Sequence, residues 1–174
     1  MAHIQLIYGD EPPLIEEENR KFLSAYPDLP VTVLDDEVGP QKISEKLCED
    51  SLFGDQKVFC LVNLPIIRKS GKNSDAWIPL YELLLEYHGD NPIVLIYHDM
   101  IDKRITQNKE ILEKIPNHQC KRLEGADLVM WIRQYWTSNG VKRKPDAQEY
   151  VADLIELWQE VPVCFMRTEC DRYF

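Results

Sequence analysis

The turn after the first apolar segment reads Gly9-Asp10-Glu11-Pro12-Pro13-Leu14, the place where an α/β protein would hold a nucleotide phosphate. A phosphate cradle needs several glycines, so that backbone N–H groups can face the anion, together with a lysine and a serine or threonine. This turn has one glycine, no lysine and two prolines without an N–H, and it presents Asp10 and Glu11, which repel phosphate. The strand–turn–helix frame is there and the chemistry is not. Gly9, Asp10, Glu11 and Pro12 therefore mark a degenerate phosphate-loop position, and no nucleotide hydrolysis is expected.

Two other clusters could carry chemistry. Asp35-Asp36-Glu37 fits a magnesium ligand set or a carboxylate pair, but with no basic or catalytic partner nearby in sequence a solvated strand end is favoured. His98-Asp99 closes an apolar segment, where α/β enzymes place active residues. No serine or cysteine nucleophile context and no Gly-x-Ser-x-Gly elbow accompany it. Cys48, Cys60, Cys120, Cys164 and Cys170 contain no Cys-x-x-Cys pair, and His3, His88, His98 and His118 fall in no ligand spacing. Neither a disulfide framework nor a metal site is expected, no catalytic residue is assigned, and no cofactor is implied.

Asp50-Ser51-Leu52-Phe53-Gly54-Asp55 is the most unusual local feature. Leu52 and Phe53 stand between polar residues and a glycine. They read either as an ordinary helix–strand connection tucked under a sheet or as an exposed pair that a protein partner must bury. From the residues alone, the first reading is favoured.

The elements that would position these groups follow from hydrophobic patterning. Segments 4–8, 57–62 and 93–97 are rich in β-branched and aromatic residues, the last two as nearly continuous apolar runs that suit strands covered on both faces. Segments 31–34 and 119–123 are more polar strand candidates, placed nearer an edge. Helical patterns alternate with them. Residues 12–25 open with proline and Glu16, Glu17 and Glu18. Residues 41–49 place Ile43 and Leu47 four apart. Trp77, Leu80, Tyr81, Leu84 and Leu85 recur at helical spacing up to Gly89, and residues 106–115 end at Pro116. Strand and helix in turn predict βαβ units, hence an α/β fold with a parallel sheet between two layers of helices. After Gly125 the pattern is helical only. Leu128, Trp131, Ile132, Tyr135 and Trp136 form one stripe, and Pro145 opens a second helix carrying Tyr150, Val151, Leu154, Ile155 and Trp158. Residues 70–75 read as a surface loop.

Composition narrows the class of function. The 174 residues are 44% apolar and 29% charged, with 20 basic against 30 acidic side chains and a net charge of −10. That balance suits a soluble globular protein and disfavours stand-alone nucleic-acid binding, which needs lysine and arginine to displace counterions. Lys142-Arg143-Lys144 is the one cationic cluster of note. No apolar run approaches the ~20 residues that cross a bilayer, and the N-terminus carries no signal-peptide pattern, so a cytoplasmic location without membrane contact is expected.

Several segments together resemble the delta subunit of the bacterial DNA polymerase III clamp loader. They are Ile7-Tyr8-Gly9-Asp10-Glu11-Pro12 with Leu14-Ile15-Glu16-Glu17, then Ser51-Leu52-Phe53-Gly54, Val62-Asn63-Leu64-Pro65, Asp102-Lys103-Arg104 and Trp131-Ile132. Their order and spacing match from about residue 4 to about residue 158. The resemblance implies an AAA+-like (P-loop-like) α/β domain without a working phosphate loop over 1–125, then the start of a helical lid domain over 126–174. The lid would be truncated and the collar domain absent, since the chain stops at Phe174. The resemblance also implies a non-catalytic subunit within a DNA-directed DNA polymerase complex, one that binds the ring-shaped sliding clamp (the beta subunit) and helps open it for loading on primed DNA during replication. Leu52 and Phe53 would be the hydrophobic plug, flanked by Ser51 and Gly54. Other clamp-loader subunits would be partners if a collar exists, and DNA would be met only indirectly. The alternative is a small α/β nucleotide-binding protein or enzyme using His98 and Asp99. From Val161 to Arg167 the sequence departs from the family pattern.

Overall fold

The computed structural model of the protein describes residues 4–48, 56–67, 75–140, 153 and 162–172. Its centre is a five-stranded sheet in the order β2-β3-β4-β1-β5, formed by β1 (Ile4–Gly9), β2 (Val31–Leu34), β3 (Val58–Val62), β4 (Ile93–Tyr97) and β5 (Asn117–Cys120). Every pairing is parallel. The two segments read as edge strands from their polarity, β2 and β5, do lie at the edges. The strand expected over 119–123 starts earlier, at Asn117. The Leu6 N–H donates to the Pro116 carbonyl at 2.9 Å, so pairing with β1 begins as soon as the preceding helix ends. The strand sequence Asn-His-Gln-Cys hides this start, because its register on β1 rather than apolar content holds it in place.

Helices α1 (Pro12–Ser24), α2 (Pro40–Cys48), α3 (Ile78–Leu85) and α4 (Thr106–Lys114) connect the strands, with a 3-10 turn, Asp75–Trp77, ahead of α3. Helix α3 stops at Leu85 rather than running to Gly89, since the Glu86 N–H still reaches the Glu82 carbonyl but its backbone has left helical geometry. The alternation of strand side chains sorts the core by face. Ile4, Leu6 and Tyr8 of β1, Phe59 and Leu61 of β3, and Ile93 and Leu95 of β4 share one cluster with Ile43 and Leu47 of α2, Leu80 and Leu84 of α3, and Ile111 of α4. Ile7, Cys60, Val94 and Ile96 are buried on the opposite side of the sheet. The β1-to-β2 crossover runs across the sheet in the sense opposite to the others, so right-handed connections put α1 on that second face. A parallel sheet covered on both faces results, as the apolar runs require.

The chain divides into two compact units, Met1–Asp10 with Ile15–Cys120, and Glu11–Leu14 with Lys121–Phe174. The second unit contains α5 (Gly125–Ser138) and a last described helix, Val163–Arg172. Leu128, Ile132 and Trp136 of α5 form one apolar cluster with Val163 and Met166. Trp131 and Tyr135 stack at 5.1 Å between ring centroids. Of the helix expected from Pro145 to Trp158, only Asp153 is among the described residues, and it is helical. Where the sequence left the pattern beyond Trp158 open, Val163–Arg172 is a helix. Among the described residues, no helix is long and apolar enough to cross a membrane.

Candidate functional site

The turn after β1 is built by three local constraints. Gly9 stands opposite Cys120 in the β1–β5 register, and a Cβ on it would lie 1.8 Å from the Cys120 carbonyl oxygen. The single glycine of the turn is therefore required by close approach of two strands, not by an anion. Pro12 and Pro13 occupy the first helical positions and have no N–H to offer. The next amide, that of Leu14, donates to the Glu11 carbonyl at 3.1 Å. The first three positions of α1 thus supply one N–H group, and it is already bonded. Asp10 is exposed. Glu11, next to it, is buried at 3% exposure, its carboxylate accepting from the Val163 N–H at 3.2 Å and lying 3.7 Å from Arg122 Nε.

The carboxyl ends of β3 and β4 are tied together by Asn63. Its backbone N–H donates to the Ile96 carbonyl at 2.8 Å, and its Oδ1 accepts from the His98 N–H at 2.9 Å. With φ at 51°, Asn63 adopts the left-handed conformation that asparagine tolerates better than most side chains. His98 Nδ1 lies 3.3 Å from the same Asn63 oxygen. The Asp99 carboxylate accepts from the Met100 N–H at 2.8 Å. In a catalytic histidine–carboxylate pair the carboxylate would face the imidazole Nδ1–H. Here Nδ1 faces Asn63 instead, and His98 and Asp99 hold a strand-end turn.

Asp102-Lys103-Arg104 staples the connection from β4 to α4. The Asp102 carboxylate accepts from the Arg104 N–H at 2.9 Å and from its guanidinium at 2.9 and 2.8 Å. These bonds hold Asp102 well below its usual 3.8, at about 2. The Asp102 carbonyl accepts from the buried Asn108 Nδ2 at 3.1 Å and from the Ile105 N–H at 3.3 Å. Asp35 caps its own turn, accepting from the Glu37 N–H at 3.2 Å, and the cluster is exposed. Among the described residues, no group of three or more histidine, cysteine or acidic side chains is placed to hold a metal ion. Cys60 and Cys120 are buried, which pushes their thiols up to about 11 and about 12.

Ser51, Leu52, Phe53 and Gly54 lie outside the described residues. They belong to the connection that leaves α2 at Cys48 and enters β3 at Val58. Just before β3, the Lys57 N–H donates to Asn91 Oδ1 at 3.0 Å, in the connection that leads into β4. Sequence reasoning passed over Asn91, Arg122 and the burial of Glu11. Each depends on a partner 30 or more positions away, and no local pattern marks it.

No protein-family profile and no curated protein matches this sequence. Among solved structures, the Bacillus subtilis DNA clamp loader delta protein (YqeN) matches with a TM-score of 0.63 at 15% identity, over 86% of this chain and 47% of that one. The two share an α/β fold. The Thermotoga maritima RuvB Holliday junction branch migration motor matches with a TM-score of 0.49 at 13% identity, over 85% of this chain and 48% of that one. The chain spans less than half the length of either protein.

Proposed function

We propose that this chain is a clamp-loader delta-type module that acts by binding, not by catalysis. Its partner is a ring-shaped sliding clamp, and Leu52 and Phe53, flanked by Ser51 and Gly54, are the plug that enters an apolar pocket on that ring. The observation that carries this reading is the likeness of fold to the clamp loader delta protein over 86% of the chain. The turn after β1 supports it, because the only glycine serves strand packing and the prolines remove the amides a phosphate would need.

Such a module needs no covalent chemistry. Opening a ring requires only that the module bind the open form better than the closed one. ATP hydrolysis would belong to other subunits of the assembly, and DNA would be met only indirectly within it. The 1–125 domain would carry the plug and the 126–174 segment would begin a lid, with replication in the cytoplasm as the setting. The test is binding of the purified chain to a bacterial sliding clamp beside a variant carrying Leu52→Ala and Phe53→Ala. Binding lost in the double variant, with the circular dichroism spectrum unchanged, supports the reading. Equal binding by both proteins contradicts the plug, and no binding by the folded wild-type chain contradicts the function.

A further inference from the structure

A buried carboxylate stays charged only where donors surround it, since removing an unpaired charge from water is very costly. Among the groups that Glu11 meets are two remote in sequence: the Val163 N–H at 3.2 Å from Oε2 and Arg122 Nε at 3.7 Å from Oε1. Glu11, Arg122 and Val163 all belong to the same compact unit.

The Val163 end of this contact is equally specific. Val163 opens the helix Val163–Arg172 and is fully buried. The first N–H groups of a helix have no partner within it, and a buried one must find an acceptor elsewhere. The Pro162 carbonyl accepts from Phe165 and Met166 at 3.0 and 3.2 Å, and the Glu11 carboxylate takes Val163. The positive end of the helix dipole thus faces a carboxyl group beside an arginine, as helix N-termini face phosphate in other proteins.

We propose that Glu11 is a built-in anion: it stands where a bound phosphate would otherwise neutralise a helix N-terminus and an arginine, and it clasps the unit formed by 11–14 and 121–174 without any nucleotide. Assembly of this unit is then independent of ATP. The adjacent Asp10, exposed at the same turn, has no such role.

Amide hydrogen exchange on the whole chain tests this, with Glu11→Ala and Glu11→Gln beside the wild type. Loss of a hydrogen bond to a charged acceptor should speed exchange at Val163 by about tenfold or more in Glu11→Ala. The neutral acceptor of Glu11→Gln should give a smaller rise, about threefold, because the charge-assisted bond is the stronger one. Amides of β1, β3 and β4 should exchange as in the wild type, which shows that the sheet remains folded. ATP with magnesium should leave Val163 exchange in the wild type unchanged. Wild-type exchange at Val163 in Glu11→Gln would refute the anionic role, and this arm decides the matter even where Glu11→Ala fails to fold. Slower exchange at Val163 on adding ATP with magnesium would refute nucleotide independence.

Discussion

Gly9 and Cys120 face each other across β1 and β5 so closely that a methyl group on Gly9 would overlap the Cys120 carbonyl. Backbone cannot yield as a flexible side chain would. Gly9→Ala should therefore destabilise the protein by about 3 kcal/mol, near the upper end for overpacking, which urea denaturation would measure. A drop well under 1 kcal/mol would mean that the strands separate at little cost, and that the glycine has some other role. Asp102 illustrates the electrostatic counterpart. Its native value of about 2 lies below the usual 3.8, so the stability it contributes is fully present above about pH 4 and is lost as pH falls through 2. Arg104→Gln should raise the Asp102 titration part of the way toward the ordinary carboxylate range, the backbone N–H of residue 104 still holding it down, as followed by carboxyl NMR. An unchanged titration would show that the guanidinium is not what holds it down. Both residues were visible in the sequence as members of short motifs. Their partners were not, except for Arg104, two positions away and within reach of any local reading.

At the scale of elements, the sheet was legible where strands are apolar and obscure where they are held by register. The apolar runs at β3 and β4 announce buried parallel strands, which pair with each other in the sheet, whereas the strand order has no signal in the sequence. Asn117–Cys120 has a single buried residue, Cys120, and its start was misplaced by two positions because only pairing with β1 defines it. The connection from α2 to β3 is the element on which the proposed function depends, and the plug proposed on it rests on a family resemblance rather than on composition. Its exit is fixed by the bond from the Lys57 N–H to Asn91 Oδ1. If that anchor orders the loop before binding, Asn91→Ala should weaken clamp affinity by about fivefold, the worth of one ordinary hydrogen bond, without altering the plug. Isothermal titration would measure it, and unchanged affinity would mean that the loop is ordered by other contacts or by the clamp itself.

At the scale of the whole molecule, a net charge of −10 disfavours free-standing nucleic-acid binding, which needs basic side chains to displace counterions. In the turn after β1, Gly9 packs strands, Pro12 and Pro13 withhold amides, and Glu11 bonds to Val163. The sequence showed which residues were missing there. It could not show Glu11 meeting Arg122 and Val163, because that contact exists only once the second unit is folded. Under the proposed function, the partner to test is a sliding clamp. The most direct measurement is the affinity of this chain for a sliding clamp with and without Leu52→Ala and Phe53→Ala. If both side chains are buried in the ring, at about 1.5–3 kcal/mol each, the double variant should bind roughly a hundredfold to ten-thousandfold more weakly. A folded double variant that binds as tightly as the wild type would contradict the account.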